Sequence, residues 1–324
     1  ERHRDLVELN DTADNRQPLG FYPVPIASIA GEDGPTLLLI GGVHGDEFEG
    51  PVALMRLMHG LDPRQIKGRV LIIPALNSPA VMDSARVSPL DGQNLNRAFP
   101  GDKDGGPIAM LADHVERVLM HRCDAVIDIH CGGKASIFAA SALATRVPDE
   151  DQFARNLGLA RAFGAPLIWL LGAFNDNRSV NSAAARQGVP MIAAELGGGG
   201  NCDPAMADLA EAGIRRCMAH LGMLERGQET LPEPRLIEIT GMPQNLYAPA
   251  AGLFDRAFSC GDDVEGGQHA GWIHLIGEPE RPPIELKFPA GGVVLAHGNR
   301  GNVPRGEMLA MVAQEVDLDK GPAG

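Results

Sequence analysis

A histidine and a glutamate three residues apart, in GGVHGDEFEG (41–50), are the first residues whose types and spacing suggest chemistry. The step from His44 to Glu47 lets an imidazole and a carboxylate converge on one cation, and Gly41, Gly42 and Gly45 permit the tight backbone this requires. Such a pair recurs by chance on many helices, so a further ligand is needed. AVIDIHCGG (125–133) offers one, because an apolar run delivers His130 just ahead of a Gly turn. Asp128, two residues earlier, shares a strand face with His130 and suits either support of the imidazole or assistance to the reacting water; an ordinary turn partner is the alternative. Two imidazoles and one carboxylate leave a coordination position open, the arrangement of catalytic rather than structural zinc. In MIAAELGGGG (191–200), the carboxylate of Glu195 arrives at a strand end ahead of four glycines. Beside the activated water it can take a proton and pass it to a leaving amine; the alternative is a solvated strand-end glutamate.

Two polar segments could bind a substrate. NSPAVMDSARVSPLDGQNLNRAFPG (77–101) reads as a long loop without helical or strand periodicity, carrying Arg86, Asn94, Asn96 and Arg97. Arginine grips a carboxylate by two parallel hydrogen bonds and stabilises an oxyanion. GAFNDNRSVNSAAARQG (172–188) reads as a second loop, with Asp176 available to a substrate ammonium and Arg178 or Arg186 to an anionic group.

Short apolar runs at 36–43, 70–76, 125–130, 166–171 and 191–196 must position these residues. Bounded by Gly or Pro, they read as strands buried on both faces, with helical patterns between them at 51–61, 108–122 and 206–224. The alternation predicts an α/β sheet with helices on both faces, and His44 and Glu47 fall on a strand-to-helix turn at its carboxyl end, where open α/β sheets bind ligands. The texture changes at RGQETLPEPR (226–235), which suggests a catalytic domain over 1–228 and a β-rich domain over 229–324. Within the tail, 248–276 and 288–313 repeat one pattern of turn, strand, Gly turn and strand, resembling the barrel-sandwich of biotinyl and lipoyl domains. Their joint, GEPERPPIELK, lacks the carrier lysine flanked by Met or Asp, which favours a structural or gating role over a swinging arm.

The 324 residues carry a net charge of −14, a field that repels phosphate backbones and anionic lipids, so neither nucleic acid nor membrane is an expected partner. No run approaches the roughly 20 apolar residues of a membrane span, and the charged start ERHRD does not read as a secretory signal, so the expected location is cytoplasmic. Five cysteines without a CxxC pair argue against a disulfide framework or a thiolate zinc site. Neither a GxSxG elbow nor a P-loop is present.

HGDEFEG, NLNRAFPG, DIHCGG and ELGGGG stand in the order and approximate spacing of the succinylglutamate desuccinylase and aspartoacylase family, relatives of zinc carboxypeptidases, which the chain resembles over residues 36–200. The resemblance implies a zinc-carboxypeptidase-like mixed sheet and one zinc ion at His44, Glu47 and His130. It also implies a catalytic Glu195, carbonyl polarisation by Arg86, and carboxylate binding by Asn96 and Arg97. NLNRAFPGD, DIHCGGK and ELGGGG look most similar to the N-acetyl-diaminobutyrate deacetylases of ectoine breakdown. The interval from Arg86 to Asn96 is longer than in aspartoacylase itself, which leaves the carbonyl-polarising group open. The expected activity is removal of an acyl group, acetyl above all, from a small N-acyl amino acid. The alternatives are an acidic N-acyl substrate, a carboxypeptidase-like peptidase, or a carrier acting through the biotinyl-like tail. Self-association is the one protein partnership left open.

Overall fold

The computed structural model describes residues 2–9, 22–172 and 175–318. Residues 1, 10–21, 173 and 174 of the expected first domain, and 319–324 of the second, lie outside the described residues.

The chain runs β1 (Arg2–Leu9), β2 (Tyr22–Ala30), β3 (Glu32–Gly41), α1 (Glu49–Gly60), β4 (Lys67–Ile73), α2 (Ser78–Asp83), α3 (Pro107–His114), β5 (Ala125–His130), β6 (Ser136–Thr145), α4 (Glu150–Phe163), β7 (Leu167–Leu171), α5 (Val180–Gln187), β8 (Met191–Gly198) and α6 (Pro204–His220). Strands follow almost without interruption: β9 (Arg235–Glu238), β10 (Leu246–Tyr247), β11 (Gly252–Arg256), β12 (Asp263–Val264), β13 (His269–His274), β14 (Ile284–Lys287), β15 (Gly292–Gly298), β16 (Asn302–Val303) and β17 (Met308–Glu315).

Every expected strand forms, and the sheet is mixed. Strands β4, β3, β5 and β8 lie side by side in parallel, β6 joins β8 antiparallel, and the order continues through β7, β9, β17, β15 and β12. Alternate residues of β3 serve opposite faces. Leu37 and Leu39 enter one core with Ala53, Leu54 and Leu57 of α1, Phe163 of α4 and Ile214 of α6; Leu38 and Ile40 enter the other with Leu111 of α3 and Ala183 of α5. Helices therefore cover both faces. In α6 the buried residues Ala207, Ala210, Ile214 and Cys217 recur at helical spacing, and Asp203 caps the helix by accepting from the amides of Ala205 and Met206.

Two segments read as loops contain helix. Residues 78–83 form α2 and Leu95–Arg97 a 3-10 turn, both inside 77–101. In 172–188 the capping oxygen of Ser179, accepting from the amide of Ser182, starts α5, and Gly188 in the left-handed region ends it. The helical pattern at 108–122 is α only to His114; a π turn over Val115–Leu119 and a 3-10 turn over Met120–Arg122 complete it.

The two repeats of the tail pair in matching ways. Strand β11 pairs with β13 and β16, and its counterpart β15 pairs with β17 and β12. Strand β15 also pairs with β6, so β6, β7, β9, β17 and β15 close on themselves around Ala139, Leu167, Ile237, Val293 and Leu295. Strands from both sides of residue 228 thus share one small core. Among the described residues no helix is long and apolar enough to cross a membrane.

Candidate active site

Strand β3 ends at Gly41, and the turn before α1 carries His44 and Glu47 at the carboxyl edge of the sheet. Strand β5 ends on His130, which pairs in parallel register with Glu195 of β8, so neighbouring strands bring these two side chains to one place. His44, Glu47 and His130 are 3%, 2% and 6% exposed. One ligand atom from each lies within 4.8 Å of the others, and the group could hold a metal ion.

The hydrogen bonds test whether these residues fit a cation. His44 Nδ1 faces Glu47 Oε1 at 2.7 Å, and His130 Nδ1 faces Glu47 Oε2 at 2.8 Å. On their far sides His130 Nε2 meets Asp128 Oδ2 at 2.8 Å and His44 Nε2 meets Asn94 Oδ1 at 3.1 Å. Those two oxygens can only accept, so each Nε2 carries its proton outward and each Nδ1 turns a lone pair toward the lone pairs of Glu47. Such contacts are favourable only with positive charge between them. The donor set of two imidazole nitrogens and a carboxylate suits a divalent metal in that role.

The electrostatics agree. Burial works to raise the Glu47 carboxyl, but His130 and His44 outweigh it and hold Glu47 well below the usual carboxylate range. Burial likewise opposes charge on His130, but Asp128 and Glu47 outweigh it and hold its proton well above the ordinary imidazole range. Glu195 behaves oppositely: burial pushes its carboxyl up to about 8, with His130 and Arg86 pulling the other way and Glu47 adding to the rise. Its Oε2 is enclosed and, among the described residues, has no hydrogen-bond partner. A carboxyl in that condition exchanges a proton near neutral pH.

Arg86 leans over the same group, with Nη1 at 3.3 Å from Glu47 Oε1 and about half of its side chain exposed. Asn96, Arg97, Asp176 and Arg178 form an adjoining cluster, linked to the first where Asn94 Oδ1 also accepts from the amide of Asn96. Asn96 Oδ1 accepts from the amide of Val180, which docks the start of α5. Arg97 Nε lies 3.0 Å from Asp176 Oδ2, and Arg178 donates to both Asp176 oxygens at 3.0 and 2.8 Å. Arg178 thereby holds the Asp176 carboxyl well below its usual range, with Arg97 adding to the effect. Two guanidiniums already occupy the group expected to meet an ammonium. Arg186 turns away, donating to Glu116 at 2.9 and 2.7 Å.

Sequence reasoning gave no separate role to Asn94 or Asp46. The alternation of NLNR could have singled out Asn94, since residues two apart around a tight turn serve different partners. Nothing in HGDE distinguishes Asp46 from a solvated acid.

Residues 33–221 match the model of the succinylglutamate desuccinylase/aspartoacylase catalytic domain. The N-alpha-acetyl-L-2,4-diaminobutyric acid deacetylase of Halomonas elongata is 34% identical over 299 residues, which span 92% of this chain and 87% of that protein. A succinylglutamate desuccinylase/aspartoacylase from Rhodobacter sphaeroides superposes with a TM-score of 0.90 at 32% identity, covering 97% of this chain and 96% of the other. The product-bound ectoine utilization protein EutE (DoeB) of Ruegeria pomeroyi also gives 0.90, at 30% identity, covering 97% and 95%. With more than half of its length matched and the histidine–glutamate turn, second histidine and strand-end glutamate gathered at one sheet edge, this chain belongs to the succinylglutamate desuccinylase/aspartoacylase family of acyl-amino-acid hydrolases.

Proposed function

We propose that the chain is a zinc-dependent deacylase that removes the acetyl group of N-acetyl-2,4-diaminobutyrate. The observation that carries the reading is the buried trio His44, Glu47 and His130, with both outer imidazole nitrogens committed to Asn94 and Asp128 and with Glu195 beside it. The substrate rests on the name of the Halomonas relative.

His44, Glu47 and His130 would hold the ion. When bound, zinc supplies Lewis-acid polarisation of the scissile carbonyl and acidifies water. Glu195 takes the proton of the attacking water on a carboxylate oxygen and returns it to the departing amine, the exchange its raised proton affinity suits. Arg86 donates to the oxyanion that develops as the carbonyl carbon becomes tetrahedral. Asn96 and Arg97 grip the α-carboxylate, with Arg178 completing the positive side of that cluster and Asp176 fixing the two guanidiniums. Asp176 retains a role toward an ammonium only through this frame.

Further proposals accompany this one. The division of the chain at 228/229 is supported by the stretch between α6 and β9, which contains neither helix nor strand. A barrel-sandwich likeness of 229–324 is supported by the matched pairings of its repeats. Cytoplasmic location rests on the acidic, charged character of the sequence.

Acetate release from N-acetyl-2,4-diaminobutyrate, N-acetylaspartate and succinate release from N-succinylglutamate, compared as kcat/KM, tests the substrate. A mismatched buried charge costs on the order of 10²-fold or more. Preference for either dicarboxylate overturns the diaminobutyrate assignment.

A further inference from the structure

The turn after His130 is held from both ends of the chain. Gly132 donates its amide to Gly197 O at 3.0 Å, knitting this turn to the one after Glu195. The amide of Lys134 donates to Asp46 Oδ2 at 2.9 Å, across to the turn that carries His44 and Glu47. Asp46 is buried, and a Cβ added to Gly133 would lie 2.5 Å from its Oδ2, so the carboxylate is pressed into the turn. Gly133, at φ +54, is both the residue that allows this approach and one that takes the left-handed conformation cheaply.

The C-terminal strands hold the same turn. Asn299, directly after β15, donates its amide to Ala135 O at 2.9 Å and its Nδ2 to Lys134 O at 3.3 Å. Strand β15 continues the grip by pairing Gly298 with Ser136, His297 with Ile137 and Ala296 with Phe138. Lys134 thus gives its N–H to a residue between two candidate ligands and its carbonyl to the far end of the chain.

We propose that Asp46 and Asn299 are positioning residues that set the distance between His130 and the His44–Glu47 turn, making the C-terminal β region part of the frame of the metal group. The inference rests on the metal-binding reading of His44, Glu47 and His130. An N–H donated to a carboxylate is about twice as strong as a neutral bond, so Asp46 carries most of the effect and Asn299 a smaller share.

The test is zinc affinity of the full chain by competition with a chromogenic chelator, for the parent, Asp46→Ala, Asp46→Asn, Asn299→Ala and His130→Ala. Loss of groups that orient metal ligands costs roughly 10–100-fold in affinity, expected for Asp46→Ala, with about threefold for Asn299→Ala. Asp46→Asn keeps an acceptor oxygen for the Lys134 amide and should return to within about threefold of the parent, a rescue that general destabilisation would not give. Asp46→Ser, too short to reach that amide, replaces Asp46→Ala if the latter does not fold, with the same loss expected. Parental affinity in Asp46→Ala or Asp46→Ser, or an Asp46→Asn as weak as the alanine variant, overturns the role of Asp46; parental affinity in Asn299→Ala overturns that of Asn299. A parent that binds no zinc, or a His130→Ala that binds as the parent does, instead removes the metal reading beneath the inference.

Discussion

Gly45 sits between His44 and Asp46, and the space at its α-carbon is already taken. A Cβ built there would lie 2.0 Å from both the carbonyl carbon and oxygen of Ala80 and 2.4 Å from the amide of Val81, all backbone atoms in the middle of α2. Ordinary contact begins at 3.4 Å, so Gly45→Ala must open about 1.4 Å between the ligand turn and α2. The 2.9 Å bond from the Gly45 amide to Ala85 O must stretch or break with it. Metal ligands tolerate only about 0.2 Å, and a misplacement of about 1 Å at a reacting centre can cost 10²-fold. Gly45→Ala should therefore lower zinc affinity by at least about tenfold and kcat/KM by about 10²-fold, with an overpacking cost of about 1–3 kcal/mol in stability. Chelator competition, acetate release and thermal melting read the three quantities. Gly227→Ala, with no atom within 4 Å of its added Cβ, is the neutral control. A Gly45→Ala protein that binds zinc and turns over within about twofold of the parent refutes the argument from crowding.

Other substitutions separate the roles within the site. Glu195→Gln should keep zinc and substrate binding while turnover falls by roughly 10²–10⁴-fold; near-parental turnover would move proton transfer elsewhere, with Asp128 the first place to look. Asp176→Ala frees Arg97 and Arg178 and should raise KM about tenfold with little change in kcat, the signature of lost ground-state binding; a change confined to kcat would contradict it. Arg186→Ala strands the enclosed carboxylate of Glu116 and should cost about 3 kcal/mol, the low end of the range because Arg186 is itself about a third exposed; urea unfolding that shifts by less than about 1 kcal/mol would show the pair to be unimportant.

The catalytic half of the fold was legible because buried parallel strands leave an unmistakable trace. TLLLIGG is apolar on both faces and leads into the turn that carries His44 and Glu47, while AVIDIH is buried throughout and ends on His130 itself. Strand β6, SIFAASALAT, was harder, since alanine and serine serve helix and strand alike. The sequence of α5 reads as loop because it is polar, although Ser179 and Gly188 are the start and stop signals of a short helix. The pairing of β15 with β6 could not be read at all, because long-range strand pairing leaves no local signature. Within the site, residue types announced His44, Glu47 and His130. The entanglement of Asp176 with Arg97 and Arg178 depended on two loops meeting in space, and the sequence held only the ingredients.

The most direct test of the account is a zinc titration of the metal-stripped chain, read as acetate released from N-acetyl-2,4-diaminobutyrate. Activity should rise in proportion to added zinc and break at one equivalent per chain, and His130→Ala should show no such rise. Full activity in the stripped protein, or the same break in His130→Ala, would contradict a deacylase built on His44, Glu47 and His130.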